Sequence, residues 1–336
     1  MSKSVVIGGA GFVGSWLVKE LLKETQDEIV VIDNLISSER WNIPDDERIQ
    51  FILGSAGDTH TLLKVNGDVS SVYHLACYHG NQSSIADPMA DFENNLRPTI
   101  TVLDWVEKVY PAARVVYTGA GCAVAPKTWD TPEGVPEVDE TPLLHDSPYS
   151  ISKVAGEMYS VHYAKQRGLD VVRVRFQNAF GPGEILGAGQ WRGTEHTIWR
   201  NVIPTFIWRA LQNQDLVLFG EIASRDFVYV EDLARGVLLA RKYGEIGEVY
   251  NLASGKEIFI ADVASLILKR TASSSKINLM PKREWDNSGR RFGSVEKSRE
   301  KLGFEAKISL ETGIERTLEW FKENSEHIQR SIERHL

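Results

Sequence analysis

Tyr149 and Lys153 stand four residues apart in the stretch DSPYSISK, a spacing that puts both on one face of a helix. A phenol with an ordinary pKa near 10 is a poor base at neutral pH. An ammonium one turn away favours the phenolate, so the pair can take a proton from a hydroxyl while hydride leaves the same carbon. Hydride needs an acceptor, and the chain offers a place for one. Gly8, Gly11 and Gly14 in IGGAGFVGS follow an apolar strand and open a helix. Glycine at these positions permits a tight turn, close approach of a pyrophosphate and close helix–strand contact, while the helix N-terminus supplies N–H groups. Asp33 ends the next strand, about twenty residues on, where a carboxylate accepts ribose hydroxyls and repels a 2′-phosphate. These features predict a dinucleotide site that takes NAD in preference to NADP. Pro148 suits the first turn of the Tyr149 helix, with Asp146 or Ser147 as its cap.

The elements that must hold these residues alternate along the first half of the chain. Residues 4–7, 28–33, 49–53, 71–76, 114–118 and 170–176 are short β-branched runs that read as buried strands. Between them FVGSWLVKELLKE, NLRPTITVLDWVEKV and YSISKVAGEMYSVHYAKQRG carry apolar residues at helical spacing. Such alternation predicts right-handed crossovers and a Rossmann-type, doubly wound parallel sheet. Beyond Gly181 the pattern loosens, and ILGAGQWRGTEHTIWR reads as a loop over a site. RDFVYVEDLARGVLLAR returns to strand and helix, EVYNLAS adds a short strand, and one long charged helix is expected from Leu310 onward. With neither repeats nor a linker, a smaller α/β substrate domain is expected to be interwoven. It would take residues 181–226 and 253–336, leaving 1–180 and 227–252 to the dinucleotide.

The whole composition narrows the field. The 336 residues carry 38 basic and 46 acidic side chains, a net charge of −8, which argues against nucleic acid or an anionic membrane as partner. An anionic ligand would need local arginines. Cys77 and Cys122, the two cysteines, make no disulfide framework and suit a reducing compartment. The chain enters a strand almost at once, without a signal peptide, and lacks an apolar run of about 18 residues, so a cytoplasmic protein without bound metal is expected.

The glycine spacing, VYHLA and the Tyr-x-x-x-Lys pair resemble the extended short-chain dehydrogenase/reductases. HLACYHGNQSSIADPMADFENNLRPT, RFQNAFGPG, SRDFVYVEDLARG and KREWD narrow the likeness to the NAD-dependent nucleotide-sugar epimerases and dehydratases. GAGQWRGT and the AGC stretch are similar to epimerases of bacterial O-antigen gene clusters. The resemblance implies that Phe12, Val13 and Asn34 join the cofactor site, that Asp58 meets the adenine, and that Leu75, Ala76 and His79 flank ribose and phosphate. It implies that Asn178, Arg225 and Arg283 hold the diphosphate of a sugar nucleotide, UDP-linked by preference, with Arg192, Arg200, Arg290 and Arg291 in reserve and Trp191 and Trp199 near sugar or base. It also implies a homodimer paired through the helices at 94–109 and 149–165.

One departure stands out. Where the family keeps a Ser or Thr to assist the tyrosine, this chain has Ala120 within VVYTGAGCAVAP. Thr118, backbone N–H groups or a water are the available substitutes. Cys122, two places on, matches the acid/base cysteine of GDP-mannose 3,5-epimerases, and a thiol can deprotonate carbon beside a ketone. Sugar 4,6-dehydratases place an Asp-Glu pair where Gly121 and Cys122 stand, so dehydration is disfavoured. The expectation is an NAD-dependent epimerase acting at C4 of a UDP-hexose or UDP-hexuronate, with inversion at C5 as an extension. A keto-sugar reductase or dehydratase and a non-catalytic NAD sensor are the alternatives.

Overall fold

The computed structural model describes residues 2–125, 128–138, 141, 143–184, 201–283, 286 and 289–335. Seven strands form the central sheet: β1 (Lys3–Ile7), β2 (Glu28–Asp33), β3 (Ile49–Leu53), β4 (Val69–His74), β5 (Arg114–Ala120), β6 (Val171–Phe176) and β7 (Val249–Leu252). All neighbours pair in parallel, in the order β3-β2-β1-β4-β5-β6-β7. The strand order reverses between β1 and β4, which opens a crevice at their C-terminal ends.

The strands are apolar on both faces because both faces are covered. Val6, Val31, Val116 and Val174 pack with α1 (Phe12–Glu24) and the helix Val230–Tyr243, while Val5, Val30, Val72 and Val115 pack with the helix Arg97–Val109. In chain order we call the long helices α1, α2 (Arg97–Val109), α3 (Pro148–Arg167), α4 (Val202–Leu211), α5 (Val230–Tyr243), α6 (Ile260–Thr271), α7 (Leu310–Glu323) and α8 (Ser325–His335). A second core gathers Phe206, Ile207, Ile267, Ile314, Phe321 and Ile328 from α4, α6, α7 and α8. Two short pairings lie outside the central sheet. Asn178–Phe180 runs parallel to Phe227–Tyr229, and Ser224–Arg225 pairs antiparallel with Ile258–Phe259.

Three elements differ from expectation. β4 ends at His74, although the Leu75 N–H still donates to the Ile7 carbonyl at 2.9 Å. The helix expected from residue 94 begins at Arg97 and is preceded by a π-turn at Phe92–Leu96, and Pro98 has no N–H to continue the ordinary ladder. The long terminal helix is two helices, α7 and α8. They break at Asn324, whose side-chain amide donates to the Trp320 carbonyl at 2.8 Å and competes with the ladder.

Candidate active site

The crevice is a cleft holding about 1280 Å³ of empty space, open solvent included. One wall is the glycine turn. Gly8 has φ +82°, and a Cβ there would come within 2.5 Å of the Ala76 nitrogen. Gly14 lies so close to the turn that a Cβ would sit 2.1 Å from the Gly8 carbonyl oxygen. Gly11, Phe12 and Val13 line the cleft at the start of α1, with Leu75, Ala76 and His79 across from them. Asp33 lies buried at the end of β2. Its carboxylate accepts from the N–H groups of Ala10 and Leu35, both at 2.9 Å, and from the Ser38 hydroxyl at 2.7 Å. Burial raises its pKa, against hydrogen bonds that lower it. Asn34 lines the cleft beside it. The cradle kept clear of Cβ atoms and the buried carboxylate at its far end fit a dinucleotide.

The opposite wall begins with α3. Ser147 caps it, accepting from the Ser150 N–H at 3.3 Å, and Pro148 takes the first turn. Tyr149 is buried against the floor of the cleft, its ring 5.6 Å from that of His79 in an edge-on arrangement. One turn on, Lys153 is buried too. Its ammonium donates to the Thr118 carbonyl at 3.0 Å and lies 5.6 Å from the centre of the Tyr117 ring. Behind the pair, Ser152 and Asn95 both donate to buried Asp91 at 2.6 Å, and the side-chain Oδ1 of Asn95 accepts from the Tyr78 N–H at 2.8 Å. The π-turn thus ties α3 to the loop bearing His79. This support escaped sequence reasoning, although NNLRPT carried the signal in a helix start with proline at its second position.

The vacant hydroxyl position also has a definite surrounding. Thr118 is no substitute: its hydroxyl donates to the His74 carbonyl at 2.9 Å. His74 itself is pushed down to about 3 by burial and by Lys153, so it stays neutral. Gly119 faces the buried Glu157 carboxylate, with 2.5 Å between Oε1 and where a Cβ would lie. Arg173 and Arg175 hold Glu157 at 3.1 and 2.8 Å. Removing that carboxylate would leave two buried guanidinium groups uncompensated, a loss of about 3–5 kcal/mol. Ala120, Cys122 and Gln177 line the cleft next to Tyr149. Cys77 and Cys122, both free thiols, pack against the cluster that contains Tyr149.

On the substrate side, Asn178 lines the cleft, and its N–H donates to the Asp226 carbonyl at 2.9 Å. Arg225 is half-buried outside the lining, donating to the carbonyls of Ser224 and Gly289 at 2.6 and 2.8 Å. Burial and the Arg291 charge pull its guanidinium down to about 9, and it lies within electrostatic reach of Asp286 and Cys122. Arg283 covers the Phe219 ring at 4.0 Å, also outside the lining. The structure separates the two described members of the four reserve arginines. Arg290 is committed to Glu257 through bonds of 2.8 and 2.9 Å, whereas Arg291 lines the cleft. Asp58 is not brought to the cleft; it caps the short helix Thr59–Leu62, accepting from the His60 N–H at 3.0 Å. Arg192, Arg200, Trp191 and Trp199 lie outside the described residues. Groups of three or more metal-ligating side chains are absent among the described residues, and none of the helices among them is long and apolar enough to cross a membrane.

Fold and cleft together define a nicotinamide-dinucleotide protein of the short-chain dehydrogenase/reductase architecture. The chain belongs to the NAD-dependent epimerase/dehydratase family, whose model matches residues 4–253, and NAD is its cofactor. It is 46% identical to the Bordetella bronchiseptica enzyme WbmF, crystallised with NAD+ and UDP, with a TM-score of 0.87 over 99% of this chain and 96% of that one. It is 28% identical to the UDP-glucose 4-epimerase of Lacticaseibacillus casei, over 96% of this chain and 97% of the relative. A dTDP-glucose 4,6-dehydratase of Streptomyces antibioticus is 27% identical over 95% and 92%.

Proposed function

We propose that the protein is an epimerase of a UDP-hexose or UDP-hexuronate that works through a transient 4-keto sugar. One observation carries this reading. Tyr149 and Lys153 open onto the same cleft as the glycine turn and Asp33, and Asn178 and Arg291 line it too. A sugar held by its diphosphate on the Asn178–Arg291 side would bring a ring hydroxyl to the tyrosine.

NAD, when bound, supplies the hydride acceptor and donor. Tyr149 takes the 4-hydroxyl proton as C4 is oxidised and gives it back when the other face of the ketone is reduced, so atoms and electrons balance with no net oxidation. Lys153, buried one turn away, favours the phenolate by its charge. Glycine and cysteine at 121–122, in place of an acidic pair, leave no carboxylate there to expel a 6-hydroxyl. That favours epimerisation over dehydration. The lobe formed by residues 181–226 and 253–336 is proposed to hold the sugar nucleotide. Arg225 and Arg283 are proposed to add positive charge for the diphosphate there. O-antigen assembly as the setting rests on the sequence resemblance.

Turnover of a UDP-sugar panel, followed by NMR of the products, tests the reading. A C4 epimer is expected. Tyr149→Phe should lose at least 100-fold in kcat while binding NAD and UDP as before. Run in heavy water, inversion at C4 alone leaves carbon-bound hydrogen unexchanged, whereas deuterium at C5 that Cys122→Ala suppresses would extend the chemistry to C5. A panel without turnover would overturn the assignment.

A further inference from the structure

We propose that the side-chain amide of Gln177 replaces the missing hydroxyl residue, donating a hydrogen bond to the sugar oxygen at the carbon being oxidised. Sheet register brings it there. In the β5–β6 ladder Gly119 pairs with Arg175 and Ala120 with Phe176, so the next residues along, Gly121 and Gln177, emerge side by side at the C-terminal edge. The amide lies against Gly121 so closely that a Cβ there would stand 2.2 Å from Nε2 and 2.9 Å from Oε1. On its other side a Cβ at Gly293 would stand 2.9 Å from the same nitrogen. Two glycines from distant parts of the chain thus leave a slot for one side chain.

The slot opens on the chemistry. Gln177 lines the cleft with Ala120, Cys122, Tyr149 and Asn178. It is half-buried, and its amide takes no hydrogen bond from, and gives none to, the other described residues. A carboxamide has two N–H donors and one acceptor, so either orientation can present a donor. The competing substitute is already engaged, because the Thr118 hydroxyl donates its hydrogen bond to the His74 carbonyl. A donor aimed at an oxygen that gains negative character is typically worth 10²–10³ in kcat.

The inference rests on the epimerase reading, and the experiment separates the two. The holoenzyme is assayed as wild type, Gln177→Ala, Gln177→Glu, Ala120→Ser and Ala120→Ser/Gln177→Ala. Gln177→Ala should lose about 10²-fold in kcat, with NAD and UDP affinity unchanged. Ala120→Ser should recover at least tenfold in that background. Gln177→Glu fills the same slot but only accepts when ionised, so its rate relative to wild type should rise as pH falls. A merely structural role would leave that ratio flat and give no rescue by serine. Wild-type turnover that Gln177→Ala leaves unchanged, a flat ratio, or a lack of serine rescue overturns this inference alone. A wild type that turns over no sugar nucleotide overturns the epimerase reading and this inference with it.

Discussion

Asp33 accepts two hydrogen bonds from its own loop and one from Ala10 of the glycine turn, and its two oxygens still have room for ribose hydroxyls. The carboxylate therefore both fixes the loop and selects the cofactor. A 2′-phosphate would meet a buried negative charge. The wild type should bind NAD at least tenfold more tightly than NADP, and Asp33→Ala should shrink that ratio while weakening NAD itself, because Ala10 and Leu35 lose their anchor. Titration of both dinucleotides against both proteins checks this, and equal wild-type affinities would sink it. Asp33, like Gly8, Tyr149 and Lys153, was legible in the sequence because its role depends on short, local spacing. Gln177 was not, since nothing local tells a residue at a strand end which distant glycine it will meet. Arg290 and Arg291 were equally opaque: neighbours in sequence, one is neutralised by Glu257 and the other faces the cleft.

At the scale of elements, the loop after β2 is braced from far along the chain. Glu39 accepts from His327 at 2.8 Å and Ser331 at 2.6 Å on α8, and Trp41 stacks on Trp320 of α7. Asn42 donates to the Ala10 carbonyl at 2.8 Å, so the brace reaches the glycine turn. Burial would raise the Glu39 carboxyl, but bonds from Ser331, His327 and Trp41 hold it below the usual range. A lowered pKa in the fold means stability that is complete above the unfolded value near 4.3 and is lost as pH falls through the folded one. Amide exchange in residues 325–335 should therefore accelerate in acid before the central sheet does. Glu39→Gln should show fast exchange there already at pH 7. Identical exchange in the two proteins at pH 7 would refute the brace. Element types were largely readable from apolar periodicity, as α1, β2 and β3 show. The break at Asn324 was not, because a side chain competing for a backbone carbonyl leaves the apolar spacing of α7 and α8 intact.

The whole molecule presents an apolar strip on the outward side of α3. Ile151, Met158 and Tyr159 lie exposed there, and Met89, 65% exposed, and Phe92 lie on the short turns between β4 and α2. Contiguous apolar surface of this kind is usually covered. We propose that a second copy of the chain covers it, pairing α2 and α3 with their counterparts. Sedimentation should find a dimer at micromolar concentration and a monomer for Met158→Glu with unchanged helix content. A monomeric wild type would remove the proposal.

The order in which the chain builds its two cores also has a consequence for biosynthesis. The ribosome delivers β1 to β6 first, then α4, and only afterwards β7, which closes the edge of the sheet beside β6. The helices that share a core with α4, namely α6, α7 and α8, come later still. For the time needed to make those residues, the nascent chain carries an unpaired strand edge and an uncovered apolar helix together. Both features invite association with other chains. Crowding on a polysome would thus endanger this protein most while the stretch between α4 and β7 is being synthesised.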